Sequence, residues 1–329
     1  MKKSLIALAV LGAFAGAASA QSSVTVYGRV NLGLVKDQGV STRIDASNGA
    51  NRLGFRGVED LGNGLKGTFN IEHRFSPESG GQDGTNNGRV FWQGTAKLGL
   101  NHASLGTVEI GRMLTAFQAP INATDPWGTE TVGSTAVLAS GYATDARQPD
   151  GSGLGRTDVI TYLSPKFAGL TLSGSVGPKR SAAAPANPQP AGAKNLYALW
   201  LGYELGPLAV GAGYEQNRSD DDVMAILASY NLGFAKVMGG FSQVDTVAIA
   251  GDERKNFNVG VSVPVGSLNL KAGFSRFEAE GTGAETDKLG VGAEYLLSKR
   301  TYVYTTYGRT NPAVGRTGNA FDLGVNHNF

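Results

Sequence analysis

Cysteine is absent from this 329-residue chain, which removes disulfides, thiolate nucleophiles and thiolate metal sites. The three histidines, His73, His102 and His327, are scattered, and none sits beside an evident nucleophile. Three dispersed imidazoles do not build a zinc or copper site either. Gly-Ser-Gly-Leu-Gly at 151–155 has the glycine content of a phosphate loop, but it precedes a strand pattern instead of opening a helix. Asp220-Asp221-Asp222 would attract a divalent cation only as a loop tip, far short of a full oxygen shell. Two glycosylation-like triplets, at Asn122 and Asn217, carry no weight beside these. The residues therefore point away from an enzyme and from any cofactor. What is left is charge facing charge. Met113 to Gly155 holds Asp125, Glu130, Asp145 and Asp150 against one cation, Arg147, with prolines at 120, 126 and 149. At roughly forty residues without a sustained period it far exceeds an ordinary connection, and such loops are commonly functional.

The flanking elements that must position this loop are read from period two. In SVTVYGRVNLGLV, Val24, Val26, Gly28, Val30, Leu32 and Leu34 share one parity, and Thr25, Tyr27, Arg29, Asn31 and Gly33 the other. RLGFRGVEDLGNGLKGTFNIEHRF reads as a hairpin about Leu61–Gly64. Apolar Leu53, Phe55, Leu65, Phe69, Ile71 and Phe75 alternate with Arg52, Arg56, Lys66, Asn70, Glu72 and Arg74. VFWQGTAKLGL repeats the pattern from Val90, with Arg89 at its head on the polar parity, and further segments continue it to NAFDLGVNHNF. Short turns alternate with long polar loops, and the segmentation predicts about sixteen antiparallel strands.

The ends and the composition bound the rest. Lys2 and Lys3, an apolar run from Leu5 to Ala15 and Ala18-Ser19-Ala20 predict a signal peptide over residues 1–20. One domain, 21–329, follows it. Without Lys2 and Lys3 the 29 basic residues become 27, matching the 27 acidic ones, so nothing suggests nucleic acid as partner. No later stretch reaches the ~18 apolar residues of a membrane helix. Glycine, at 48 residues, is about twice its ordinary share of ~7%.

Periodicity alone fits a soluble β-sandwich as well as a membrane barrel. Three features favour the barrel. Arg, Lys and Glu stand mid-strand on the polar faces, so those faces must meet water. The apolar faces are numerous enough for a continuous outer band. Tyr27, Tyr162, Tyr203, Tyr214, Tyr295, Tyr302 and Tyr307 lie toward strand ends, as aromatic girdles require. The glycines are expected where tilted strands curve.

YGRVNLGL, RLGFRGVEDLGNGLKGTFNIEHRF, GTVEIGR before the long loop, YLSPKFAGL after it, YLLSKRT and the terminal aromatic strand together resemble the trimeric general-diffusion porins of Gram-negative outer membranes, of the Neisseria and Burkholderia type. The likeness covers nearly all of Gln21–Phe329. It implies a homotrimer in outer-membrane lipid and lipopolysaccharide, with no cofactor, that passes small hydrophilic solutes and ions. It also implies that the third loop folds into the lumen and sets acidic groups against a basic wall.

Inward parity selects Arg29, Arg52, Arg74 and Arg89 for that wall; Arg156 begins the strand just after the loop, and Arg112, which ends the strand before it, is placed in the pore by the likeness. Arg112 shares the apolar parity of Val108 and Ile110, so a bulge would have to re-aim it. Asp125 and Glu130 are the acidic candidates because they flank Pro126-Trp127-Gly128, which stands where many porins carry a Pro-Glu-Phe-Gly-like turn. Phe329 matches the family's signal for the outer-membrane assembly machinery, and it is equally a last strand closing the barrel. An arginine-rich wall predicts modest anion preference. The alternatives are a porin selective for one class of small anions or sugars, and a sealed barrel acting as adhesin or receptor.

Overall fold

The computed structural model describes residues 22–46, 51–82, 91–140, 142, 155–179, 193–247 and 253–329. The expected signal peptide and Arg89, Asp145, Arg147 and Asp150 lie outside these residues.

The described chain forms eighteen strands in one sheet. In order they are β1 (Ser23–Asp37), β2 (Arg43–Asp45), β3 (Arg52–Gly62), β4 (Leu65–Ser76), β5 (Gly81–Gln82), β6 (Thr95–His102), β7 (Gly106–Met113), β8 (Thr157–Leu163) and β9 (Leu170–Gly177). The second half runs β10 (Leu196–Leu205), β11 (Leu208–Gln216), β12 (Asp222–Asn231), β13 (Lys236–Asp245), β14 (Glu253–Val265), β15 (Leu268–Ala279), β16 (Ala284–Leu296), β17 (Thr301–Asn311) and β18 (Gly318–Asn328). β2 and β5 are rim pieces of three and two residues, which leaves sixteen long strands.

All pairings are antiparallel, and the sheet closes on itself. β1 pairs with β3 from Ser23↔Val58 to Arg29↔Arg52 on one side. On the other it pairs with β18 from Arg29↔Asn328 to Asp37↔Ala320. Phe329 finishes the seam by exchanging backbone hydrogen bonds with Gly28 at 3.0 and 3.1 Å. Closure leaves no open edge, which is the condition for a sheet to stand in hydrocarbon.

The two faces of the strands decide between sandwich and barrel. In β1, Val24 is 67% and Leu34 51% exposed, whereas Arg29 and Asn31 on the opposite face are 7% and 2% exposed. A soluble sandwich buries its apolar parity; here that parity faces out and the polar parity in, as lipid outside and water inside require.

Two local expectations are corrected. The strand expected from Val90 begins at Thr95: Phe91 and Trp92 lie in a turn, where the Phe91 ring stacks on outward-facing His73 with centroids 4.1 Å apart. The aromatic girdle loses Tyr27 and Tyr302. Both point inward, Tyr27 to Asn70 (2.8 Å) and Tyr302 to Arg29 (3.4 Å), while Tyr162, Tyr214 and Tyr295 stay exposed on the outer face.

A charge on the outer face tests this assignment. Leu199→Arg, at a 53% exposed outward position mid-strand, is expected to cost about 2–4 kcal/mol near the bilayer midplane. Denaturant unfolding in lipid vesicles measures it.

Candidate functional site

The described part of the long loop, residues 114–140 and 142, leaves β7 and lies inside the barrel against its wall. A buried apolar cluster joins loop residues Phe117, Ile121, Leu138 and Tyr142 to inward residues Val159, Leu196, Trp200, Val223 and Leu227. Phe117 meets Trp200 edge to face, centroids 6.2 Å apart. Each large side chain buried this way contributes roughly 1.5–3 kcal/mol, so this half of the loop is packed like a core. The signal was present in sequence. β10 and β12 are apolar on both parities, as strands covered on both faces are.

Polar anchors hold the rest. Glu215 on β11, 0% exposed, accepts from Thr115 Oγ1 at the start of the loop and from Tyr142 OH, the latter at 3.0 Å. Burial first, and then the Glu215 charge, push the Tyr142 phenol well above its ordinary range. Asn258 Nδ2 donates to Thr124 O at 3.0 Å, at the end of a single 3₁₀ turn, Ile121–Thr124. The Val132 amide donates to Asp322 Oδ2 (2.9 Å) and the Gly133 amide to Thr306 Oγ1 (3.2 Å). Sequence reading missed Glu215 and Asp322, since nothing in either local pattern shows what crosses the lumen.

The loop tip lies on a floor of glycine. Gly260, Gly273, Gly290 and Gly308 are direct cross-strand partners on β14, β15, β16 and β17. A Cβ on Gly290 would overlap Gly133 O, one on Gly308 would overlap Val132 O, and Gly260 and Gly273 face Pro126 and Thr135. These glycines serve close approach of backbone to wall, a use different from the strand curvature expected for them.

Asp125 does not reach the arginines. It is 5% exposed, and both its oxygens are used inside the loop. Oδ2 accepts from Thr129 N (2.7 Å) and Ser134 Oγ (2.8 Å), and Oδ1 from Thr135 N (3.0 Å). The residue opens the Asp125–Gly128 turn and acts as its side-chain acceptor, a usual role for aspartate before proline. Thr129 and Thr131 are held at φ 77° and 69°, positions that β-branched residues rarely take. The residue between them is Glu130.

Glu130 meets the wall. Its two oxygens take both terminal nitrogens of Arg29, and Arg52 Nη2 lies 3.5 Å from Oε1. Arg29 Nε also donates to Asn326 Oδ1 at 2.5 Å. Arg29, Arg52 and Arg74 form a row: Arg29↔Arg52 pair across β1 and β3, and Arg52↔Arg74 across β3 and β4. Like charges opposed across a sheet repel, and this row is threaded by carboxylates. Arg74 Nη2 pairs with Glu72 Oε1 at 2.7 Å.

Arg156 lies within electrostatic reach of Glu72, Arg52 and Arg112. Arg112 is placed otherwise than the pore-lining expectation. β7 pairs with β8 without a bulge, so Arg112 keeps the outward parity, and its guanidinium donates to the carbonyls of Arg156 (2.7 Å) and Gln93 (3.3 Å). It braces the strand ends on either side of the loop. Arg218, which no motif marked, does similar work as a buried donor to Thr157 Oγ1 (2.8 Å) and Asp158 O (3.0 Å).

The chemistry available here is electrostatic. An acidic loop tip is fixed against a basic row on the inner wall, charge facing charge.

Comparisons with known proteins agree with the barrel fold. A family model described as Gram-negative porin matches residues 7–312. The chain is 32% identical over 324 residues to outer membrane porin protein 32 of Delftia acidovorans, covering 92% of this chain and 88% of that protein. Its fold superimposes on the anion-selective porin from Comamonas acidovorans with a TM-score of 0.79 at 21% identity, over 94% of this chain and 100% of that one. It also superimposes on the trimer form of OmpT, an outer membrane protein of Vibrio cholerae, with a TM-score of 0.67 at 15% identity, over 94% and 99%.

A glycine under the loop tip and a glycine away from it should behave differently. Gly290→Ala is expected to cost about 1–3 kcal/mol of stability by overpacking and to change single-channel conductance. Gly318→Ala, where a Cβ meets nothing within 4 Å, should do neither. Thermal unfolding and bilayer recordings of both variants check this.

Proposed function

This chain belongs to the family of Gram-negative porins, and we propose that it is a general-diffusion channel of modest anion preference with its constriction at Arg29, Arg52, Arg74, Arg156 and Glu130. As an outer membrane porin it is a passive channel rather than an enzyme. The observation that carries the finer reading is the in-register arginine row facing the loop's Glu130. Guanidinium groups stay charged at any physiological pH, so the wall offers permanent attraction to anions. The opposed carboxylate makes the field transverse, which orients polar solutes and water and disfavours apolar ones. Asp125 takes part indirectly, by holding the strained turn that presents Glu130.

Further support comes from the relatives. The Comamonas porin is itself described as anion-selective, and the Vibrio protein as a trimer; this chain is proposed to share both properties. Lipopolysaccharide is the proposed neighbour of its outer rim. Phe329, which ends the strand that seals the barrel, is proposed as the residue read by the outer-membrane assembly machinery.

Planar-bilayer recordings in a KCl gradient at neutral pH test the reading. The wild type should show a reversal potential of anion preference, and strong cation selectivity would overturn it. Arg52→Ala should lower the anion-to-cation permeability ratio by about two- to threefold, the effect of one unit charge at several ångströms in an aqueous gap. Flux linear in solute concentration supports general diffusion, saturable block by one solute class indicates a selective porin, and insertion without conductance indicates a sealed receptor.

A further inference from the structure

The geometry points to Glu72, a carboxylate of the wall and not of the loop, as the residue that limits the anion preference of the constriction; this rests on the channel reading above. Glu72 stands two residues from Arg74 on the inward face of β4 and is 6% exposed. Its Oε1 holds Arg74 Nη2 at 2.7 Å and its Oε2 accepts from Tyr27 OH at 3.1 Å. Its charge also acts on Arg52 and Arg156.

The carboxylate is boxed in. A Cβ on Gly94 would overlap its Oε1 and aliphatic stem, so only glycine leaves room there. On the other side the Tyr27 hydroxyl shares its one proton between Glu72 Oε2 and Asn70 Oδ1, the latter at 2.8 Å, and the Arg56 guanidinium lies 5.2 Å over its ring. Glu130 arrives with the loop, whereas Glu72 is built into the barrel and stays wherever the loop goes. Of Arg29, Arg52, Arg74, Arg156, Glu72 and Glu130, four are cationic and two anionic, a balance of +2. Without the Glu72 charge it becomes +3. A fixed charge of that kind, beside a narrow aqueous path, raises the local concentration of anions and depletes cations.

The test is the reversal potential in a KCl gradient for the wild type, Glu72→Gln, Tyr27→Phe, Arg74→Gln and Glu72→Gln/Arg74→Gln in planar bilayers. Glu72→Gln should raise the anion-to-cation permeability ratio about threefold at ~0.1 M salt, and the gain should shrink toward 1 M salt as screening shortens to ~3 Å. Tyr27→Phe keeps the charge and should leave the ratio near wild type. The double variant removes one charge of each sign and should return toward wild type, which a purely structural role for Glu72 would not produce. If Glu72→Gln fails to assemble, the double variant must still exceed Arg74→Gln in anion preference. An unchanged ratio in conducting Glu72→Gln channels, a double variant that stays at the Glu72→Gln value, or a double variant no more anion-preferring than Arg74→Gln would each overturn the assignment. A cation-selective wild type would instead overturn the channel reading before any variant was compared.

Discussion

In hydrocarbon there is no water to satisfy a peptide group, and each unpaired N–H or C=O costs several kcal/mol. Everything else in this molecule depends on how that constraint is met. A sheet meets it only by closing, and closure here rests on the seam where β1 divides its pairing between β3 and β18. A closed sheet has an inside and an outside in place of two solvent faces. Alternation then acquires a direction, valine and leucine toward lipid and arginine, asparagine and glutamate toward the lumen.

The interior so created is too wide for wall side chains alone to shape, and the loop after β7 supplies the shape. Its attachment combines two kinds of contact. An apolar cluster around Phe117, Ile121 and Trp200 holds the first part as a protein core would. The tip is held differently, by amide donors to Asp322 and Thr306 over a row of glycines that lets backbone touch wall. Glu215, bonded to Thr115 and Tyr142 of the loop, adds a buried polar anchor. Removing a buried acceptor of that kind would leave two hydroxyl donors unpaired, a cost of about 1–3 kcal/mol each.

Charge is deployed over this scaffold in two tiers. Asp125 and the left-handed threonines set the turn, and Glu130 at that turn meets Arg29 and Arg52. The wall carries its own carboxylate, Glu72, within the arginine row. Strain at Thr129 and Thr131 persists because Asp125 and the glycine floor overdetermine the tip. The carboxylates that meet these arginines thus come from the wall as well as from the loop.

Much of this was legible in the chain. Period-two alternation, the spacing of short and long turns and the mid-strand arginines determine a barrel and the inward placement of Arg29, Arg52 and Arg74, because side-chain direction in a strand follows parity alone. Only the tertiary structure decided which residues meet. Arg29 and Glu130 lie 101 residues apart, and no local rule relates them. The four glycines that bed the tip belong to four strands and become a row only through register. Asp125 was expected beside the arginines on proximity to the turn, yet a carboxylate next to so many amide donors satisfies itself locally. Parity marks the side of the wall; register and the path of the loop across the lumen choose the partner.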